Sequence, residues 1–262
     1  MTLDEVEPEP TPPSTVDQFS PSAPPRAGRP SIGLRARFGA FVEVVLCSDV
    51  PTQLALIQVL AWIGLRQVMS NGRLSLTYVA TLSLVDAVVL IALILWCLHY
   101  HHKSPRETFL GTRPIGREAC FGMLLVLGVA LVVLVTMALV QQFVPWLHNV
   151  EENPFESLLQ TPRDALIFSV VAIIAGGVRE EIQRAFILRR FEQHLGGASV
   201  GLVVFSVAFG AGHLLQGWDA AIVTMILGLV WGVVFLMRRS IIAPLVSHAC
   251  FNLLEIALHM QQ

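Results

Sequence analysis

Seven mostly apolar stretches of about eighteen residues or more follow one another, at roughly 42 to 69, 76 to 100, 119 to 144, 164 to 190, 199 to 216, 219 to 237 and 240 to 259. A helix rises about 1.5 Å per residue and the hydrocarbon core is about 30 Å thick, so each stretch is long enough, or nearly so, to span a bilayer. The chain is 54% hydrophobic and 14% charged. One aqueous core cannot bury that much apolar surface, and lipid must cover the rest. The expected fold class is an all-α polytopic membrane protein of about seven transmembrane helices, with the lipid bilayer as its first partner. Asp49 and Pro51 interrupt the first stretch, so its early part is expected in the interface, ahead of a shorter span from Thr52. No repeat of 20 to 50 residues is visible.

Residues 1–33, with EPEPTPPSTVDQFSPSAPPRAGRP at their centre, lack the apolar residues needed to offset the entropy of ordering them, so a disordered tail is expected. No apolar run follows within the first thirty residues, which argues against a secretory signal. Residues 34–262 form the transmembrane domain, and their short polar turns leave no room for a separate soluble domain. The net charge of -2 gives no basic field for nucleic acid. Cys47, Cys97, Cys120 and Cys250 stand singly in or beside apolar runs and are expected to be buried hydrophobes.

Basic residues collect in alternate loops. Arg26, Arg29, Arg35 and Arg37 precede the first span, Lys103, Arg106, Arg113 and Arg117 fill the second loop, Arg189 and Arg190 follow the fourth span, and Arg238 and Arg239 follow the sixth. The other loops are poor in them. Since basic loops stay on the cytoplasmic side, the N-terminus is expected in the cytoplasm and the C-terminus outside.

An ionisable group near the bilayer centre costs a few kcal/mol unless paired or wetted, so such groups mark function. The fourth span carries Arg179, Glu180, Glu181 and Arg184 in GGVREEIQRAF, the fifth ends in His213, and the seventh carries His248 and Asn252 in HACFN. Glu180 with Arg184 and His248 with Asn252 are spaced i, i+4, which sets each pair on one helix face. A carboxylate fixed beside an arginine, with a neutral imidazole nearby, can hold a metal ion or an activated water. An asparagine amide supplies a neutral donor for a developing oxyanion. Together these groups suit hydrolysis.

These residues resemble the CPBP family of intramembrane proteases, the CAAX-prenyl-endopeptidase and bacteriocin-processing group also called Abi. Its motifs are Glu-Glu-x-x-x-Arg, Phe-x-x-x-His and His-x-x-x-Asn on successive membrane helices. Phe209 to His213 matches the second and His248 to Asn252 the third, within about residues 164 to 256. The first motif departs, because two residues rather than three separate the glutamates from Arg184. Aligned on Arg184-Ala185-Phe186, Glu180 takes the second glutamate's place and Arg179 the first's; aligned on the glutamates, the arginine has moved by one.

The resemblance implies an endopeptidase acting on a membrane-associated peptide or protein, with a four-helix catalytic core over about 164–259. Its implied site is Glu180, Glu181, Arg184, His213, His248 and Asn252, with Glu180 as the essential carboxylate. A divalent metal such as zinc, held by Glu180, His213 and His248, or a glutamate-activated water without metal would use the same residues. Two rival classes remain: a proton-coupled transporter whose pathway these groups line, and a catalytically inactive membrane scaffold. Asp86, an isolated acid in the second span, reads as an interhelical hydrogen-bond partner first and as a proton-relay group or a support for the site second; Glu255 and His259 read as a wet vestibule or an interfacial rim, and His99, His101 and His102 as headgroup contacts.

Overall fold

The computed structural model describes residues 33–70, 72–151 and 153–261; the expected tail, apart from Gly33, lies outside them. The described residues form ten α-helices in order: α1 (Leu34–Leu46), α2 (Val50–Trp62), α3 (Leu76–Tyr100), α4 (Pro105–Phe109), α5 (Ile115–Phe143), α6 (Pro162–Val171), α7 (Glu180–His194), α8 (Ala198–Ala211), α9 (Trp218–Arg238) and α10 (Ile242–His259). A π-helical stretch, Ala172–Arg179, joins α6 to α7 without a turn. Among the described residues there is no strand, only an isolated bridge between Val68 and Leu74.

Among the described residues, five stretches are long and apolar enough to cross a membrane: Leu34–Trp62, Leu76–Tyr100, Ile115–Phe143, Trp218–Arg238 and Ile242–His259. The protein is therefore an all-α integral membrane protein. The other two expected spans are helical but different in kind. Helix α8 has 14 residues and reaches only about 21 Å, while residues 162–194 carry buried charges that an apolar span does not.

Local chemistry sets the boundaries. Thr161 caps α6, its hydroxyl accepting from the Asp164 amide at 3.2 Å and donating to the Asp164 carboxylate at 2.8 Å, with Pro162 in the first turn, where its missing N–H costs nothing. Ser75 caps α3, its hydroxyl accepting from the Tyr78 amide at 3.3 Å. The first expected span, 42–69, is revised: helix begins earlier, at Leu34, breaks at Cys47–Asp49, and ends at Trp62. The break turns on Asp49, whose φ of 80° lies in the left-handed region, and Pro51 sits in the first turn of α2 rather than interrupting a helix.

Helix α7 runs through the middle of the packing. Phe186 and Leu188 meet Leu90 and Ile94 of α3, Phe205 of α8 and Phe235 of α9 in the largest core cluster. A second cluster joins Val129 of α5, Trp231 of α9 and Phe251 of α10. Close approach depends on small residues, as is usual between membrane helices: a Cβ on Gly177 would lie 2.9 Å from the Ala249 methyl of α10, and one on Gly210 would lie 2.5 Å from the Ala221 carbonyl of α9. Of the four cysteines, Cys47 and Cys97 are buried as expected, whereas Cys120 is exposed and Cys250 is half-buried, its thiol 3.5 Å from the Met123 sulfur of α5.

Candidate active site

The π-helical stretch sets the geometry. A π-helix winds with more residues per turn than an α-helix, and such stretches recur at functional sites. Gly176 and Gly177 within it let α10 come close enough that the Asn252 amide lies 2.6 Å from where a Gly176 Cβ would be, donating weakly to the Ala172 carbonyl at 3.5 Å. Immediately after it come Glu180 and Glu181, on different sides of α7.

Glu181 is buried, with 1% of its surface exposed. Its carboxylate pairs with Arg184 and accepts from Nδ1 of His248 at 2.9 Å. The pairing expected of Glu180 with Arg184 is thus taken by Glu181 instead. The reason is the direction of the guanidinium, which lies among aromatic rings of α8 and α9, 5.2 Å from Phe205, 4.9 Å from Phe209 and 5.5 Å from Trp231. Three electron-rich faces favour a cation there, and Glu181 is the carboxylate on that side.

His248 is held by three groups. Glu181 accepts from its Nδ1, Trp231 stacks on it at 3.9 Å between centroids and 18° between planes, and the Phe209 edge approaches at 6.1 Å. The Trp231 indole N–H in turn donates to the Ser247 hydroxyl at 3.2 Å. With Nδ1–H committed to a carboxylate, Nε2 is left with the free lone pair. It faces Glu180 Oε2 across 3.8 Å. That gap is too wide for a direct hydrogen bond but admits a water about 2.8 Å from each.

Glu180, His213, His248 and Asn252 line one cavity of about 560 Å³, and Glu181 and Arg184 lie behind its wall. The volume falls within the roughly 300–1,000 Å³ common to ligand sites. His213, after the end of α8, is half-buried; its Nδ1 donates to the Phe209 carbonyl at 2.9 Å, which leaves Nε2 as an acceptor. His259 and Glu255, expected as a vestibule or an interfacial rim, line the cavity, as do His148 and Asp219, which are paired at 2.6 Å. Among the described residues no three His, Cys, Asp or Glu side chains form a cluster able to hold a metal ion. Glu180 and His248 supply two facing donors, and His213 stands apart from them on the same cavity.

Arg179 stood out in the sequence as a charge of the fourth span, but its partners did not. Arg179 is buried and pairs with Glu180 at 3.2 Å, with Asp49 at 2.8 Å and with Asp86 at 3.7 Å. Asp86 of α3 thus finds its partner across the helices, in Arg179. Asp49 reaches Arg179 because the left-handed turn between α1 and α2 aims it inward, and Gln183 of α7 anchors that turn by donating to the Cys47 carbonyl at 2.9 Å. Both acids were visible as interruptions of apolar runs; nothing in their spacing named the common partner.

Residues 162–254 match the family model described as type II CAAX prenyl endopeptidase, Rce1-like. The likeness read from the motifs is borne out over that segment, which contains every candidate site residue. No curated protein and no solved structure matches the chain.

Proposed function

On the premise that residues 162–254 resemble the Rce1-like CAAX prenyl endopeptidases, we propose that this protein is an intramembrane endopeptidase that hydrolyses a membrane-associated peptide or protein with a water held between Glu180 and His248. The observation that carries the reading is the facing of Glu180 Oε2 and His248 Nε2 across 3.8 Å inside the cavity. Glu180 takes a proton from the water as the hydroxide adds to the scissile carbonyl carbon. The oxyanion that forms is stabilised by the Asn252 amide N–H. The amide bond then breaks, and Glu180 returns the proton to the leaving nitrogen.

The remaining residues support these. Glu181 fixes the tautomer and plane of His248, and Arg184 compensates the Glu181 charge so that a carboxylate can stay buried. Arg179 pairs with Glu180 and holds it in place, its own charge shared with Asp49 and Asp86. His213 offers its free Nε2 to an amide N–H of the bound peptide. A divalent metal such as zinc would need His213 to swing toward Glu180 and His248, and would supply a more acidic water at the same place; zinc binding to the purified protein that is lost in His213→Ala would show that it does. In the proposed orientation, the N-terminus is cytoplasmic and the C-terminus lies outside.

The test is substrate trapping. Membrane peptides that accumulate in cells carrying Glu180→Gln, and that the purified wild-type protein then cleaves, would support the reading. If no peptide differs between wild type and Glu180→Gln at equal protein abundance, the endopeptidase reading fails.

A further inference from the structure

A second cavity, of about 160 Å³, lies where the end of α3, the short helix α4 and the last turns of α7 meet; it is lined by Lys103, Ser104, Thr108, Phe186, Arg189 and Arg190 among others. None of its lining residues borders the active-site cavity. We propose that this cavity binds a phosphate oxyanion at the membrane boundary, carried by an anionic phospholipid headgroup or free in solution. The inference stands apart from the endopeptidase reading.

Charge is the first argument. Three cations line the cavity and one acid, Glu107, opposes them. The acids nearby are divided between partners: Glu43 pairs with both Arg190 and His101, and Glu192 with both Arg189, at 3.6 Å, and Arg239, at 2.6 Å. Positive charge is left over.

Unmet hydrogen bonding is the second. Nε of Arg189 and Nε of Arg190 are buried and have no acceptor among the described residues. A buried donor left unpaired is costly, and a phosphate presents several strong acceptors to planar guanidinium donors. The Ser104 hydroxyl, which accepts from the Glu107 amide and keeps its own hydrogen, adds a further donor, whereas that of Thr108 is spent on the Ser104 carbonyl.

Position is the third. The cavity opens beside Lys103, just past the end of α3, whose apolar length spans a membrane. Its floor is apolar, with Phe186 at 1% and Leu98 at 5% exposure, as befits a group that meets water on one side and acyl chain on the other. Phe186 and the two arginines belong to α7, so an occupied cavity would pin the helix that carries Glu180 and Glu181.

The experiment uses the purified full-length protein in detergent, with its thermal unfolding midpoint followed during titration with phosphatidylglycerol, phosphatidylcholine or inorganic phosphate. Phosphatidylglycerol should raise the midpoint and phosphatidylcholine, whose choline is repelled by the same cations, should raise it far less. Lys103→Gln combined with Arg189→Gln should shift the half-saturating phosphatidylglycerol upward by about tenfold or more, as expected for the loss of charge-assisted contacts. Arg117→Gln, which alters an exposed basic residue outside the cavity, should leave the titration unchanged. A rise with inorganic phosphate that the double variant abolishes would support the same cavity with a soluble source. Equal stabilisation by both lipids, or a double variant that titrates like wild type, would overturn the proposal.

Discussion

Helix α5 and the helical run 162–194 both pack against α10, yet they sort their side chains in opposite senses. Leu124, Leu127, Leu131 and Leu134 of α5 are exposed by 61 to 73%, whereas the run from α6 to α7 buries Arg179, Glu181, Gln183, Arg184 and Arg190. In water the first would be a fault and the second a wasteful core. In lipid both follow from one rule: hydrocarbon accepts leucine freely and charges only in pairs, so charge moves inward. The inward set is also where the chemistry can be done, because a carboxylate among matched partners is held in place without water to disperse it.

Substitutions can break this contrast, and the largest effect is expected at Arg184. Arg184→Met keeps the aliphatic bulk but leaves Glu181 buried without its cation, so the protein should lose about 3–5 kcal/mol of stability by analogy with buried pairs in soluble proteins. Protein abundance and the unfolding midpoint would report it. Next comes Asn252→Ala, which removes the proposed oxyanion donor and should lower kcat by about 10²–10³ with little change in KM, read by steady-state cleavage of a trapped substrate. Gly177→Val should cost about 1–3 kcal/mol, since the added side chain meets Ala249 of α10 and forces the helices apart; chemical denaturation in detergent measures it. Leu127→Ala on the lipid face should shift stability by less than about 0.5 kcal/mol and leave cleavage unchanged. A large loss there would mean that α5 is covered by protein and not by lipid.

How far the sequence carried differs between these regions for a physical reason. Apolar length is a one-dimensional property, so the span of α3, α5, α9 and α10 could be read within a few residues. His213, His248 and Asn252 could be named because they are polar residues in or at the end of apolar runs, at motif spacing from Phe209 and from each other. The pairing of Glu181 with Arg184 could not, because at 100° per residue Glu180 and Glu181 flank Arg184 almost equally, and the choice falls to Phe205, Phe209 and Trp231 on two other helices. The Arg179 centre was out of reach for a similar reason. It joins an acid at the break between α1 and α2, one in α3 and one in α7, far apart along the chain, behind a π-helical stretch whose winding no α-helical periodicity anticipates.

The central claim is that two adjacent glutamates do different work, Glu180 on the water and Glu181 on His248. Purified Glu180→Gln tests it most directly, with cleavage of a wild-type substrate and the thermal unfolding midpoint measured on the same preparation. Cleavage should be slowed by about 10²–10⁴, as for loss of a general base, with the midpoint close to wild type, because Asp49 and Asp86 still compensate Arg179. Folded Glu180→Gln protein that cleaves at a near wild-type rate would contradict it.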